Sequence, residues 1–143
     1  MKNVFGITTK DVFFNACDVG WDLGHLFTVY GPLLAGCAMV FYEGNLVKPD
    51  AGVIWRVCED HKVTNLYINA SDVRRVKKSD YDGAFMKKYD VSSLKVISST
   101  GERLDADSVE WIHKNLPNVI INDTYVLTET GLPIAGNFLK TND

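Results

Sequence analysis

Apolar and polar positions alternate along the chain in short blocks that predict strands and helices in turn. Runs rich in β-branched and aromatic residues predict five strands, and stretches with apolar residues three or four positions apart predict helices. The predicted strands are Val12–Cys17, Cys37–Tyr42, Val63–Ile68, Leu94–Ser98 and Val119–Ile121. The predicted helices are Leu23–Ala35, one opening at Pro49–Asp50 with Asp50 as its N-cap, Ser71–Lys78, and one capped by Asp105 or Asp107 that Pro117 stops.

This order of elements predicts an α/β fold with a mostly parallel sheet. Strands that alternate with helices form βαβ units whose crossovers are right-handed. In such sheets ligands bind beyond the carboxyl ends of the strands. Two polar, glycine-containing segments occupy those positions, Ser99–Arg103 after the fourth strand and Asp123–Gly131 after the fifth. We therefore expect the two segments to lie side by side at one edge of the sheet.

Composition and charge exclude several kinds of partner. The 15 basic and 18 acidic residues give a net charge of −3, which argues against nucleic acid because its binding proteins carry a basic excess. No apolar run approaches the roughly 20 residues that span a bilayer, and Met1–Lys10 has no signal-peptide core. The three cysteines are odd in number and form no CxxC pair, so we expect packed, reduced thiols and an intracellular location, cytoplasmic or mitochondrial.

The second polar segment contains groups suited to a nucleotide. Three threonine hydroxyls and two carboxylates occur within nine residues, and such groups are costly to bury unless they are paired. Threonine hydroxyls can donate to phosphate oxygens. Glu129 is a hard oxygen ligand of the kind Mg²⁺ takes beside substrate phosphates. These residues alone fit either a nucleotide site or an ordinary polar loop.

The same segment resembles a known motif. Asp123-Thr124-Tyr125 through Thr128-Glu129-Thr130-Gly131 is similar to the D-T/N-W/Y-W-Q-T-E-T/S-G motif of AMP-forming acetyl- and propionyl-CoA synthetases. The resemblance covers Phe5 to about Ile134, and Gly131–Ile134 is closer to the propionate branch. Further matching stretches are Val12–Phe14, Asp18–Trp21 with Gly24-His25, Tyr30–Leu33, Tyr42–Gly44, Pro49-Asp50 and Gly101-Glu102.

The resemblance implies that residues 1–143 are part of the large AMP-binding domain of an adenylate-forming ligase, with no complete second domain. Such an enzyme joins a short-chain carboxylic acid to coenzyme A through an acyl-adenylate, with ATP and Mg²⁺. The implied nucleotide residues are Gly101, Glu102, Arg103, Asp123, Thr124, Tyr125 and Thr128; Trp21, Thr100 and Val126 border the acyl pocket, and Glu129 binds the metal. The family's phosphate loop and C-terminal lysine are expected outside Met1–Asp143. The isolated chain is therefore expected to be inactive without the rest of the synthetase.

Four departures from the family pattern leave other readings open. The G-E-P triplet ends in Arg103, the tandem W-Q is Val126-Leu127, the proline of T-A-P-T-A-I-R is Ala70, and Asp22 follows the tryptophan. A non-catalytic nucleotide-binding module or pseudoenzyme fits these losses. A medium-chain or aryl acid ligase is a third reading, which the Gly20-Trp21 and Gly24-His25 stretch opposes.

Overall fold

A six-stranded sheet forms the centre of the chain in the computed structural model, which describes residues 1–137 and residue 139. Its strands run in the order β2-β1-β3-β4-β5-β6; the first five are parallel, and β6 is antiparallel to β5. The strands are β1 Val12–Asn15, β2 Ala38–Phe41, β3 Asn65–Asn69, β4 Val96–Thr100, β5 Ile120–Val126 and β6 Pro133–Gly136.

Helices cover both faces of this sheet. They are α1 Lys2–Phe5, α2 Asp22–His25, α3 Gly31–Ala35, α4 Val53–Asp60, α5 Ala70–Ser79 and α6 Ala106–Asn115. A π-helical segment, Leu26–Tyr30, joins α2 to α3, and 3₁₀ turns occur at Met86–Lys88 and Thr128–Thr130. None of the helices within the described ranges is long and apolar enough to cross a bilayer.

Strand alternation divides the core into two clusters. Leu66 and Ile97 point towards α4, α5 and α6 and form the larger cluster with Ile112. On the opposite face Phe5, Phe27 and Tyr67 meet edge to face, with ring centroids 5.2–5.3 Å apart. Such aromatic arrangements add stabilisation beyond their buried area. The sheet is thus covered on both sides, as a parallel sheet requires.

The predicted α/β architecture and mostly parallel sheet are confirmed, and three local predictions were wrong. The helix predicted over Leu23–Ala35 is divided, because Pro32 has no N–H and the Gly31 N–H bonds five residues back to Leu26. The N-cap of α4 is Gly52; the Asp50 carboxylate accepts from the Gly52 N–H at 2.8 Å and closes the preceding turn.

The third correction concerns the fifth strand. It continues to Val126 because Thr124, Tyr125 and Val126 pair with the unpredicted strand β6. The Asp123–Val126 part of the polar segment therefore lies within β5, and only Leu127–Gly131 follows it. The edge location expected for this segment is retained, because Asp123 pairs with Ser99 near the end of β4.

The three cysteines behave as small core residues, as expected. Cys17, Cys37 and Cys58 are all buried and free. Burial raises the pKa of Cys17 and that of Cys58 to about 12, so both remain protonated thiols at neutral pH. Neither has the thiolate character that a nucleophile or metal ligand needs.

Candidate functional site at the carboxyl ends of β4 and β5

Two of the segments singled out from the sequence meet around one cavity. The loop after β4 contributes Gly101, Glu102 and Arg103, and β5 contributes Asp123–Val126. The cavity has a volume of about 410 Å³ and lies at the carboxyl edge of the parallel strands, where α/β sheets bind ligands. Seven of the residues assigned by resemblance therefore share one space.

The loop after β4 is held in place from two sides. Gly101 leaves the strand with φ +85°, a conformation that L side chains rarely adopt. Arg74 of α5 pairs with the Glu102 carboxylate and, at 3.5 Å, with Asp105. On the other side the Leu104 N–H donates to Asp123 Oδ2 at 3.2 Å. These contacts fix the loop against both α5 and β5.

Asp105 also starts the helix that follows the loop. Its Oδ1 accepts from the Ser108 N–H and its Oδ2 from the Ser108 hydroxyl, both at 2.9 Å. Burial opposes ionisation of this carboxyl, but the bonds from Ser108 and the charge of Lys77 together lower the pKa of Asp105. Asp105 is therefore the N-cap, one of the two predicted candidates.

Two threonines at this edge of the sheet, Thr100 and Thr124, are almost fully buried. The Thr124 hydroxyl donates to the Ser99 carbonyl oxygen at 2.7 Å, so it joins β5 to β4. Thr100 is fully buried, and its hydroxyl has no hydrogen-bond partner among the described residues. The same is true of the nearby Tyr67 hydroxyl, whose pKa is raised by burial. Thr100 is not part of the cavity's lining.

The three residues assigned to the acyl pocket are only partly brought together. Val126 lines the cavity, and its inner side packs on the core cluster of Phe5 and Tyr67. Trp21 packs on the same cluster from the start of α2 but does not line the cavity. The adjacent Asp22 has two buried carboxylate oxygens with no hydrogen-bond partner in the described part of the chain.

Thr128 and Glu129 lie outside the cavity on an exposed 3₁₀ turn. The turn is closed by Thr130, whose hydroxyl is within 2.8 Å of the Leu127 carbonyl oxygen, and by Gly131 at φ +64°. Across residues 1–137 and 139, no group of three or more metal-ligating side chains occurs. Glu129 is an exposed carboxylate on this turn.

A second, larger cavity holds none of the assigned residues. It has a volume of about 720 Å³ and lies beyond β1 and β2, lined in part by Asp18, Glu43, Asp72 and Arg75. Arg75 bonds to the Asp72 carboxylate at 2.7 Å. These four are the charged side chains in its lining within the described residues.

Arg74 belongs to a basic run, with Arg75, Lys77 and Lys78, that suits either a phosphate of coenzyme A or a solvated helix face, and its pairing with Glu102 was not predicted. The basic run it belongs to is typical of a solvated helix face. Its role follows from the register, because Asn69 pairs with Thr100 and this places the start of α5 beside the loop after β4. A search of the sequence for oppositely charged residues on successive βα units would have found the pair of Arg74 and Glu102.

The family model described as AMP-binding enzyme matches residues 1–143. The chain is 40% identical over 134 residues to propionate–CoA ligase from Escherichia coli, covering 94% of this chain and 21% of that protein. It is 40% identical over 141 residues to acetyl-coenzyme A synthetase 2 from Saccharomyces cerevisiae (94% and 20%). It is 37% identical over 137 residues to the mitochondrial acyl-CoA synthetase short-chain family member B from Dictyostelium discoideum (96% and 20%). The chain spans about a fifth of the length of these relatives.

Proposed function

Because the chain belongs to the AMP-binding enzyme family, we propose that it is part of an ATP-dependent ligase that joins a short, propionate-like acid to coenzyme A. The observation that carries the proposal is the meeting of Gly101–Arg103 and Asp123–Val126 around one cavity at the carboxyl edge of the sheet. Relatives named for acetate and propionate activation support it. A reducing intracellular compartment, cytosol or mitochondrion, fits the three buried free thiols.

The reaction has two balanced steps. In the first, an oxygen of the acid attacks the α-phosphorus of ATP, the bond to the next phosphate breaks, and pyrophosphate leaves. In the second, the coenzyme A thiol loses its proton and attacks the acyl carbon, and AMP leaves with the bonding electrons. Neither step needs a protein nucleophile, so the residues act by positioning and by stabilising charge.

Each part of the site has a role in this proposal. The loop of Gly101–Arg103 and the strand of Asp123–Tyr125 form the two walls of the nucleotide site. Val126, Thr100 and Trp21 are assigned to the acyl side, and of these three Val126 lines the cavity. Thr128 donates to phosphate. Glu129 is the carboxylate that would hold Mg²⁺, which neutralises phosphate charge when bound. The remaining contacts, including the phosphate loop and the C-terminal lysine, belong to parts of the synthetase outside these 143 residues.

A hybrid enzyme tests the function. In this hybrid the chain replaces the aligned segment of propionate–CoA ligase from Escherichia coli, and the unaltered ligase is the positive control. We expect the hybrid to form acyl-CoA from propionate, ATP and coenzyme A. A hybrid that unfolds cooperatively, and so is folded, but neither binds AMP nor forms acyl-CoA contradicts the proposal. If the hybrid does not fold, binding of adenosine and AMP to the 143-residue chain, measured by ligand-observed NMR, decides the question.

A non-catalytic nucleotide-binding module is the second candidate. It is favoured by Arg103, Ala70 and Leu127, which stand where the resembling motifs have proline, proline and glutamine. Acid-dependent exchange of pyrophosphate into ATP separates the two. We expect no exchange by the 143-residue chain and clear exchange by the hybrid; a folded hybrid that binds AMP without exchange supports the module.

A further inference from the structure

Arg103 is a cation at the nucleotide cavity with no carboxylate of its own. It is exposed, it lines the cavity, and no carboxylate within residues 1–137 or at residue 139 lies within salt-bridge distance of its guanidinium. The resembling G-E-P motif has proline at this position, so the charge is a property of this chain and not of that motif.

Three neighbouring carboxylates each contact a group other than Arg103. Glu102 pairs with Arg74 of α5. Asp105 accepts two hydrogen bonds from Ser108 and lies 3.5 Å from Arg74. The Asp123 carboxylate accepts from the Leu104 N–H.

We propose that Arg103 binds a phosphate group of the adenine nucleotide in this cavity. A guanidinium presents its donors in a planar fork that matches two phosphate oxygens. The inference rests on the proposed function, because it takes the cavity to be the nucleotide site. It adds a phosphate contact on the loop after β4, separate from the one assigned to Thr128.

The phosphate could be the 5′-phosphate of AMP and ATP or the 3′-phosphate that coenzyme A carries. Each is a phosphate group attached to an adenosine, so the planar set of guanidinium donors suits either one. Comparing adenosine, 5′-AMP and 3′-AMP separates the two sources. The affinity for adenosine measures binding to the cavity without any phosphate contact.

The test is the affinity of these three ligands for the 143-residue chain, measured by ligand-observed NMR. We expect 5′-AMP or 3′-AMP to bind about fivefold more tightly than adenosine, which corresponds to about 1 kcal/mol, because the guanidinium is exposed. In Arg103→Gln and Arg103→Pro the advantage of the phosphate-bearing ligand over adenosine should fall. Arg103→Lys should keep part of it, and Arg56→Gln, an exposed arginine on α4, should keep all of it.

The outcomes separate this inference from the proposed function. Equal binding of adenosine and both nucleotides, or an advantage that is undiminished in Arg103→Gln, overturns the role of Arg103 and leaves the nucleotide site intact. Failure of all three ligands to bind both the 143-residue chain and the folded hybrid enzyme overturns both. Rising salt should reduce the phosphate advantage of the native chain and have no such effect in Arg103→Gln, because exposed charges are screened.

Discussion

Asp123 connects the two walls of the cavity, and removing its side chain tests whether that connection matters for binding. Its Oδ2 accepts from the Leu104 N–H at 3.2 Å, and Leu104 is 4% exposed. Its Oδ1 is buried without a hydrogen-bond partner in the described chain. Asp123→Ala therefore removes the loop's only side-chain anchor on β5 within the described residues and leaves a buried amide unsatisfied.

The expected loss of stability follows from this geometry. A hydrogen bond to a charged group contributes about 1.5–3 kcal/mol to folding. The lower end applies here, because the bond is long and the side chain is only partly buried. Asp123→Ala should lower the free energy of unfolding by about 1.5 kcal/mol, or the melting temperature by about 3–6 °C for a domain of this size. Asp123→Asn keeps an acceptor for the Leu104 amide and should cost less than half as much.

A matched control separates loss of stability from loss of the site. The Asp50 carboxylate accepts from the Gly52 N–H at 2.8 Å and lies away from the cavity. Asp50→Ala should cost a similar free energy of unfolding in a denaturant titration and leave AMP affinity unchanged. Asp123→Ala should weaken AMP binding severalfold, because the loop of Gly101–Arg103 is no longer held. If the two variants bind AMP equally well, the loop does not depend on Asp123, and the reasoning fails.

Three further predictions concern other residues. In the hybrid enzyme Val126→Trp should move the optimal acid towards acetate by about tenfold per methylene; an unchanged profile of kcat/KM against chain length contradicts this. Glu129→Gln should reduce hybrid turnover far more than Glu102→Gln, because Glu102 is already paired with Arg74; equal losses argue against Glu129 as the metal ligand. Asp11→Asn should destabilise the chain above about pH 4, and the difference should disappear in denaturant titrations at lower pH.

The sign of the pH prediction for Asp11 follows from its contacts. Burial opposes ionisation, but hydrogen bonds from the Thr8 hydroxyl and N–H and from Lys95 more than compensate and lower the pKa of Asp11. A carboxyl whose pKa is lower in the folded state stabilises the fold above its unfolded pKa, and this stabilisation is lost as pH falls through the folded pKa. A difference that grows on acidification would contradict the assignment.

The parallel core could be predicted because the sequence pattern that indicates each of its strands and helices is local. Each buried strand of the core is a run of apolar residues followed by an amphipathic helix, and such units assemble in few ways. Strand β6 gave no such signal: Pro133 occupies its first residue, a position that sheets tolerate, and its pairing with Thr124–Val126 depends on contacts along the β5 edge. The extension of β5 was missed for the same reason.

The location of the candidate site could be predicted from the sequence, but several of its contacts could not. The meeting of Gly101–Arg103 with Asp123–Val126 follows from parallel strands, whose carboxyl ends share an edge. The salt bridge between Arg74 and Glu102 depends on how α5 packs against the loop after β4. The sequence pattern does not give that packing geometry. The placement of Trp21 outside the cavity has the same origin, since it follows from how α2 packs on the cluster of Phe5 and Tyr67.

In the proposed acyl pocket, Val126 lines the cavity and packs against a core that contains buried polar groups. Val126 offers a small apolar surface where the family motif has an indole, which favours a longer hydrocarbon chain. The Thr100 and Tyr67 hydroxyls and both carboxylate oxygens of Asp22 are buried without a hydrogen-bond partner within the described residues, and none of these three residues lines the cavity. Each buried group left unpaired costs about 1–3 kcal/mol. Because these polar groups are not part of the lining, we propose that Val126 sets the length of acid that the hybrid enzyme prefers, and that the absence of the indole favours propionate over acetate.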